Sequence, residues 1–443
     1  MAEHRRTAYL RGMGWGDDTI LIRLLRNAGL LLGGKAANAL LSLGALALTA
    51  RALGPEGLGA LVLLHGLVQI VAELAKFQSW QGVVRFGAAE LGRDAKGGLA
   101  GVLNFSLLLD GVAVLAGFAF LEIAGPPLAH RLGWPAEVAE LLPLYATALV
   151  GLVPGTASGV LRLLDRFDLL AAQSAAGNAV RLAGAALAWG LGGGLAAFAL
   201  VWWMAALAAG LLPFALAPRL LAGRGLAFRF GWPRGVRARH PGILRFFVLT
   251  SANAVVGLVP SHLALLVVGS LLGAASAGLF RVAKQIADAT AKPAEFLAQA
   301  LYPEAARLDA EGRRQRLRQV LARLALVAGG VALSAVAIVF VLGPWLVTVV
   351  AGPAFAEAAP VMEWLTMAAA LTMAAAPLEP ILIAMGAAGS VVAVKAAAAG
   401  LHVVLLLVFA RLADLPGAGW AALAASCLSV SLLWGMARRR LAR

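Results

Sequence analysis

The chain has 443 residues, of which 61% are hydrophobic and only 13% charged, and its mean hydropathy is +0.86. Soluble domains carry roughly 25% charged residues, so the composition excludes one and points to a bilayer. The formal charge of +15 does not indicate nucleic-acid binding, because no basic stretch is interleaved with aromatics that could stack on bases.

Residues 1–27 read as a cytoplasmic leader. Its GMGWGD, starting at Gly12, has glycine spacing but no preceding strand and is taken as flexible rather than nucleotide-binding. The first apolar run is too long for a secretory signal and a second follows after a turn, so the N-terminus is expected to be retained. A membrane-crossing helix needs about 20 apolar residues. Twelve runs qualify, at 28–50, 57–78, 100–124, 141–161, 169–190, 195–218, 244–270, 276–301, 319–343, 359–384, 391–410 and 418–436. With the N-terminus inside, 26 of the 37 Lys and Arg fall in inner loops and tails, three in outer loops and eight in spans. That is the positive-inside pattern, and it puts both termini in the cytoplasm. Cys427, the single cysteine, lies in the last span, cannot form an internal disulfide and reads as a packing residue.

The sequence repeats itself. Sliding it until Leu53-Gly54 falls on Leu272-Gly273 also brings Gly59 onto Gly278, a shared LGxxxxG ahead of spans two and eight. His65, Gln69, Glu73 and Lys76 then fall on Lys284, Asp288, Lys292 and Glu295. Six spans per copy make the repeat parallel, with its axis along the membrane normal. The expected architecture is an all-α polytopic membrane protein in which two six-helix lobes, related by pseudo-two-fold symmetry, surround a central cavity. The N-lobe covers 28–218, an Arg-rich cytoplasmic linker 219–243, the C-lobe 244–436 and a basic tail 437–443.

Polar residues inside spans fall on helix faces. Arg281, Lys284, Asp288, Lys292 and Glu295 lie within about 60° of one another on a helix. His65, Gln69, Glu73 and Lys76 form a second stripe, and Lys35, Asn38, Ser42 and Thr49 a third. A charge at mid-bilayer costs at least about 2.5–3.5 kcal/mol, so these faces should meet protein or a water-filled cavity. Two readings stand side by side: a basic cavity, or salt-bridged helix contacts pairing Lys284 with Asp288, Asp288 with Lys292 and Glu73 with Lys76. Lys35, Arg181 and Lys395 have no acid one turn away. Pro154, Pro260, Pro293 and Pro377 should bend their spans, and Pro260 is the candidate hinge. HExxH, GxxxxGK[ST], GxSxG and CxxC are all missing, so no metal, cofactor or catalytic residue is expected.

The segment TARALGPEGLGALVLLHGLVQIVAEL, its counterpart VVGSLLGAASAGLFRVAKQIADATAKPAEFLAQALYPEAARL, and LRLLDRFDLLAA ahead of span five resemble the polysaccharide transporter family of the multidrug/oligosaccharidyl-lipid/polysaccharide superfamily, which includes O-antigen and exopolysaccharide flippases. The resemblance implies a V-shaped alternating-access carrier in the bacterial inner membrane. It would move undecaprenyl-pyrophosphate-linked oligosaccharide outward for cell-surface polysaccharide synthesis. It also implies a cationic headgroup cavity, matched here by Lys35, His65, Lys76, Arg181, Arg281, Lys284, Lys292 and Lys395. Asn38, Gln69, Glu73, Asp288 and Glu295 would supply polar lining or ion coupling. Membrane lipids, a polymerase and glycosyltransferases are the implied partners of a monomer. A multidrug or metabolite exporter, a membrane glycosyltransferase or ligase, and a non-transporting scaffold remain open. The exporter is disfavoured because span one has no acid and span three only Asp110.

Overall fold

A computed structural model describes the backbone of residues 18–92, 96–226, 231–233, 235–255, 262–310 and 314–442, and side chains at 38–92, 97–226, 231–233, 235–251, 262–290, 315, 319, 321–383 and 385–440. The GMGWGD leader motif and Pro260 lie outside the described residues, as do the side chains of Lys35, Lys292 and Glu295. The described residues form helices and turns without strands.

Helix α1, Asp18–Ala75, is 58 residues long. Straight, it would reach about 87 Å, roughly twice the thickness of a bilayer with its headgroups. It breaks at Gly54, where φ is 66° and ψ −178°, a conformation open to glycine because it has no Cβ. Gly44 lies against Leu182, while His65 packs on the Trp202 ring that also carries the Arg181 guanidinium. The two arms of α1 therefore converge on the same level of a neighbouring helix. After α2 (Ser79–Gly92) and α3 (Lys96–Arg131), a bent span follows as α4 (Ala136–Ala146), α5 (Leu149–Leu152) and α6 (Gly155–Leu163). Its two arms meet at 64°, and Pro154 separates α5 from α6. Helices α7 (Phe167–Gly190) and α8 (Leu195–Gly223) complete the first half.

The second half opens with α9 (Val236–Arg239) and α10 (Ile243–Val255), then α11, Ala264–Ala310, which breaks at Gly273 with φ 86° and ψ 171°. Next come α12 (Arg314–Ala351), a 3-10 turn at Pro353–Ala358, α13 (Ala359–Ala375), α14 (Leu378–Ala384) after Pro377, and α15 (Ala388–Ala442), broken at Ala413–Asp414. Seven described helical stretches are long and apolar enough to cross a membrane, or eight when the bent α4–α6 pair counts as one. Three of the helices, α1, α11 and α15, contain a break close to an expected span boundary.

Large apolar side chains cover the outer faces: Ile123, Leu326 and Val341 are each 78% exposed, an arrangement suited to lipid rather than water. Cys427 is exposed as well. It points off the bundle instead of packing inside it, because the buried side of that stretch is occupied by Ala421 and Ala425.

The largest core joins the two halves. Leu58, Leu61, Leu63 and Leu64 of α1 share it with Val268, Phe280, Val282 and Ala283 of α11. In lipid, small residues drive such a crossing by letting backbones approach. A Cβ on Gly59 would stand 1.7 Å from the Ala274 carbonyl oxygen, and one on Gly278 would stand 2.1 Å from that of Pro55. At the same end Arg51 donates to the Val349 carbonyl, and Trp134 Nε1 donates to Ser270 Oγ at 3.2 Å.

At the opposite end the linker is tied to the first half. The Glu90 carboxylate, 1% exposed, faces Arg239 Nη1 at 3.4 Å and His240 Nε2 at 3.0 Å, and Phe247 packs with Phe105, Val236 and Ile243.

Candidate functional site

The site lies where the polar faces of α1 and α11 meet. From α1, His65 Nδ1 is 2.8 Å from the Tyr145 hydroxyl of α4, and its ring stands edge-on to Trp202 of α8, 5.1 Å between centroids and 88° between planes. Arg181 of α7 covers the same indole, its guanidinium carbon 4.4 Å from the ring centre. Such a cation–π contact offsets only part of the cost of burying a guanidinium. Arg181 Nε is buried without a hydrogen-bond partner among the described residues. Asn38 accepts from Asn178 Nδ2 at 2.8 Å, which fixes α1 against α7. Further along α1, Gln69 Nε2 donates to Glu73 at 3.1 Å, and Lys76 forms an ion pair with the same carboxylate.

From α11, Arg281 lies within electrostatic reach of both Arg181 and His65. One turn on, Lys284 pairs with Asp288 at 3.0 Å. Across the second half, Lys395 of α15 pairs with Glu379 of α14 at 2.6 Å. This corrects the expectation that Lys395 is uncompensated. Its partner lies across the turn between two helices, where helical spacing cannot reveal it.

Of the basic side chains in the described residues, Lys76, Lys284 and Lys395 are neutralised by neighbours, and His65 is hydrogen-bonded. Arg181 and Arg281, one from each half, have no ion-pair partner among the described residues. The two guanidinium groups lie within electrostatic reach of each other, and the acid that acts on Arg281, Asp288, is bonded to Lys284; arginine offers a rigid donor fork suited to phosphate oxygens.

Several contributors were not foreseen. His262 lies within electrostatic reach of His65, Glu73, Arg281 and Lys284. Tyr145, Trp202, Glu379 and His402 also enter the site or its neighbour. Trp202 and Tyr145 carried a faint signal as amphipathic aromatics within spans, residues that want a polar partner when buried. Asp110, by contrast, is committed to structure: it accepts from Ser79 Oγ, from Thr156 N at 2.8 Å and from Thr156 Oγ1 at 2.6 Å. No group of three or more His, Cys, Asp or Glu able to hold a metal ion occurs among the described residues.

Comparison with known proteins places this arrangement. Residues 24–309 match the family model described as polysaccharide biosynthesis protein. Inner membrane protein YghQ of Escherichia coli (strain K12) is 32% identical over 349 residues, 78% of this chain and 97% of that protein. Among solved structures, a multidrug resistance MATE family transporter of the MOP superfamily in an inward-facing conformation aligns over 91% of this chain and 94% of its own, with a TM-score of 0.74 and 16% identity. Lipid II flippase MurJ in an inward closed conformation aligns over 92% and 87%, with a TM-score of 0.70 and 14% identity. The architecture shared with these structures is a two-lobed, all-α fold. This multi-pass membrane chain belongs to the polysaccharide biosynthesis protein family.

Proposed function

We propose that the protein is a flippase that carries undecaprenyl-pyrophosphate-linked oligosaccharide from the inner to the outer leaflet of the bacterial inner membrane, with both termini in the cytoplasm. The observation that carries the reading is the pair Arg181 and Arg281, unpaired by acids among the described residues, one on each lobe. A pyrophosphate bridging them would tie lobe position to occupancy, which is what alternating access requires, because a ligand shifts a two-state equilibrium only by binding the states unequally. The family, and the likeness to a lipid II flippase fold, support the same reading.

The contacts at the Gly54–Gly273 end would close the outer side, leaving the headgroup to enter from the linker end while the polyprenyl tail stays in lipid between the lobes. The carrier would work as a monomer. Glycosyltransferases would make the substrate and a polymerase would use it.

The test is the leaflet distribution of lipid-linked oligosaccharide in cells depleted of this protein. Accumulation on the cytoplasmic leaflet, relieved by wild type but not by Arg181→Ala with Arg281→Ala, is expected. Unchanged distribution on depletion overturns the reading.

A further inference from the structure

A cavity of about 710 Å³ lies within the second half, bounded by α11, α13, α14 and α15. Its volume is that of a site for a small organic molecule. Along α11 it takes in Phe280, Lys284 and Asp288, and so adjoins Arg281, but its character differs. The pairs Lys284–Asp288 and Lys395–Glu379 both line it and sum to no net charge. His402 also lines it, is 8% exposed, and buries an Nε2 with no hydrogen-bond partner among the described residues. Thr372, Ser426 and Ser429 also line it, and the remaining walls are largely alanine and larger apolar side chains.

A dianion gains nothing from a neutral rim, and an isoprenoid chain would bury two ion pairs and an imidazole without satisfying them, a cost of several kcal/mol. A sugar fits both features. Its hydroxyls donate to carboxylates and accept from ammonium groups, charge-assisted bonds among the stronger kinds, and its C–H faces suit apolar walls. The buried His402 nitrogen is left for a ligand hydroxyl to satisfy.

We infer that this C-lobe cavity is the glycan subsite: it holds the first sugar residues of the substrate while the pyrophosphate lies on Arg181 and Arg281. The inference rests on the flippase reading and adds to it where the sugar is recognised.

The test uses full-length protein carrying Cys427→Ala and Ser426→Cys, with Ala399→Cys as a second reporter on the same cavity should the first fail to fold. Thiol labelling is followed with two probes: synthetic undecaprenyl pyrophosphate, and the lipid-linked oligosaccharide fraction extracted from cells depleted of this protein. Equilibrium binding of each probe is measured alongside. The glycosylated lipid should protect the cysteine and the bare lipid should not. Glu379→Gln with Lys395→Gln should weaken binding of the glycosylated lipid about tenfold or more and leave binding of the bare lipid unchanged, which also shows that the variant is folded. Equal protection by the bare lipid would assign the cavity to the isoprenoid and overturn the inference. Binding of both lipids without protection by either would place the sugar elsewhere and overturn it too. Failure of both to bind the wild type would instead remove the flippase reading, and this inference with it.

Discussion

Gly59 and Gly278 hold equivalent positions in the two sequence repeats and make the same contact with each other's helix: Gly59 rests on the carbonyl of Ala274, and Gly278 on that of Pro55, the repeat equivalent of Ala274. The reciprocity is that of a two-fold axis passing between α1 and α11. Arg51 and Ser270 repeat the relation. They too are equivalent under the same shift, and each reaches to the opposite half, Arg51 to Val349 and Ser270 to Trp134. A backbone oxygen cannot move aside for a methyl group as a side-chain tip can. Gly59→Ala and Gly278→Ala should therefore each destabilise the protein by about 1–3 kcal/mol, the usual cost of overpacking. Gly329, where an added Cβ would meet nothing within 4 Å, is the control: Gly329→Ala should be neutral or stabilising by about 1 kcal/mol. Thermal unfolding in detergent reads all three, and a wild-type melting temperature for Gly59→Ala would show that the crossing is looser than described.

Arg181 and Arg281 should be separable from the paired lysines by binding. Replacing either arginine with alanine removes a charge that has no ion-pair partner among the described residues, so the affinity for undecaprenyl pyrophosphate should fall at least about tenfold, the range of one charge-assisted hydrogen bond. Lys76→Ala should have a smaller effect, because that ammonium is already committed to Glu73. Equal losses at all three positions, measured by titration of purified protein, would mean that the cavity acts as a diffuse basic surface.

Asp110 should behave as a structural residue. Its carboxylate accepts three hydrogen bonds and is 3% exposed, joining the starts of α2 and α6 to α3. Asp110→Ala should cost about 1–3 kcal/mol, because it leaves buried donors without their acceptor, and expression or melting temperature should fall before any change in ligand affinity of the folded fraction. Asp168 is the contrast. Hydrogen bonds from Arg166 hold its carboxyl below the ordinary pKa, so the pair's small, solvent-screened contribution is present at neutral pH and is lost as pH falls through the lowered value. Being largely exposed, it should leave the melting temperature unmoved on Asp168→Ala.

What the sequence revealed follows the range of each interaction. The breaks at Gly54 and Gly273 could be anticipated because a glycine motif repeats at a fixed shift, and the pairs Glu73–Lys76 and Lys284–Asp288 because helical geometry places residues three or four apart on one face. Lys395–Glu379 and His65–Tyr145, 16 and 80 residues apart, arise from how helices pack, which no local period encodes. Cys427 misled for a related reason: within an apolar span, hydropathy cannot distinguish the face against protein from the face against lipid, since both are apolar.

The charge balance also predicts how transport responds to voltage. The pyrophosphate diester carries about two negative charges, so a site presenting two uncompensated guanidinium groups is close to neutral when loaded and about +2 when empty. Each charge that crosses the full membrane field is worth about 2.3 kcal/mol per 100 mV. The loaded step should therefore be nearly insensitive to voltage, while the empty carrier, turning its positive site from the outer to the inner side, should be drawn by an inside-negative potential. In proteoliposomes, imposing such a potential with a potassium gradient and valinomycin should speed repeated flipping while leaving a single turnover of preloaded carrier little changed. Arg181→Gln should halve the voltage sensitivity of the empty return and make the loaded step, which then carries about −1 outward, sensitive in its place. Flipping that is indifferent to the sign of the potential would show that other groups, with Glu73 and Asp288 the nearest described candidates, carry compensating protons or ions.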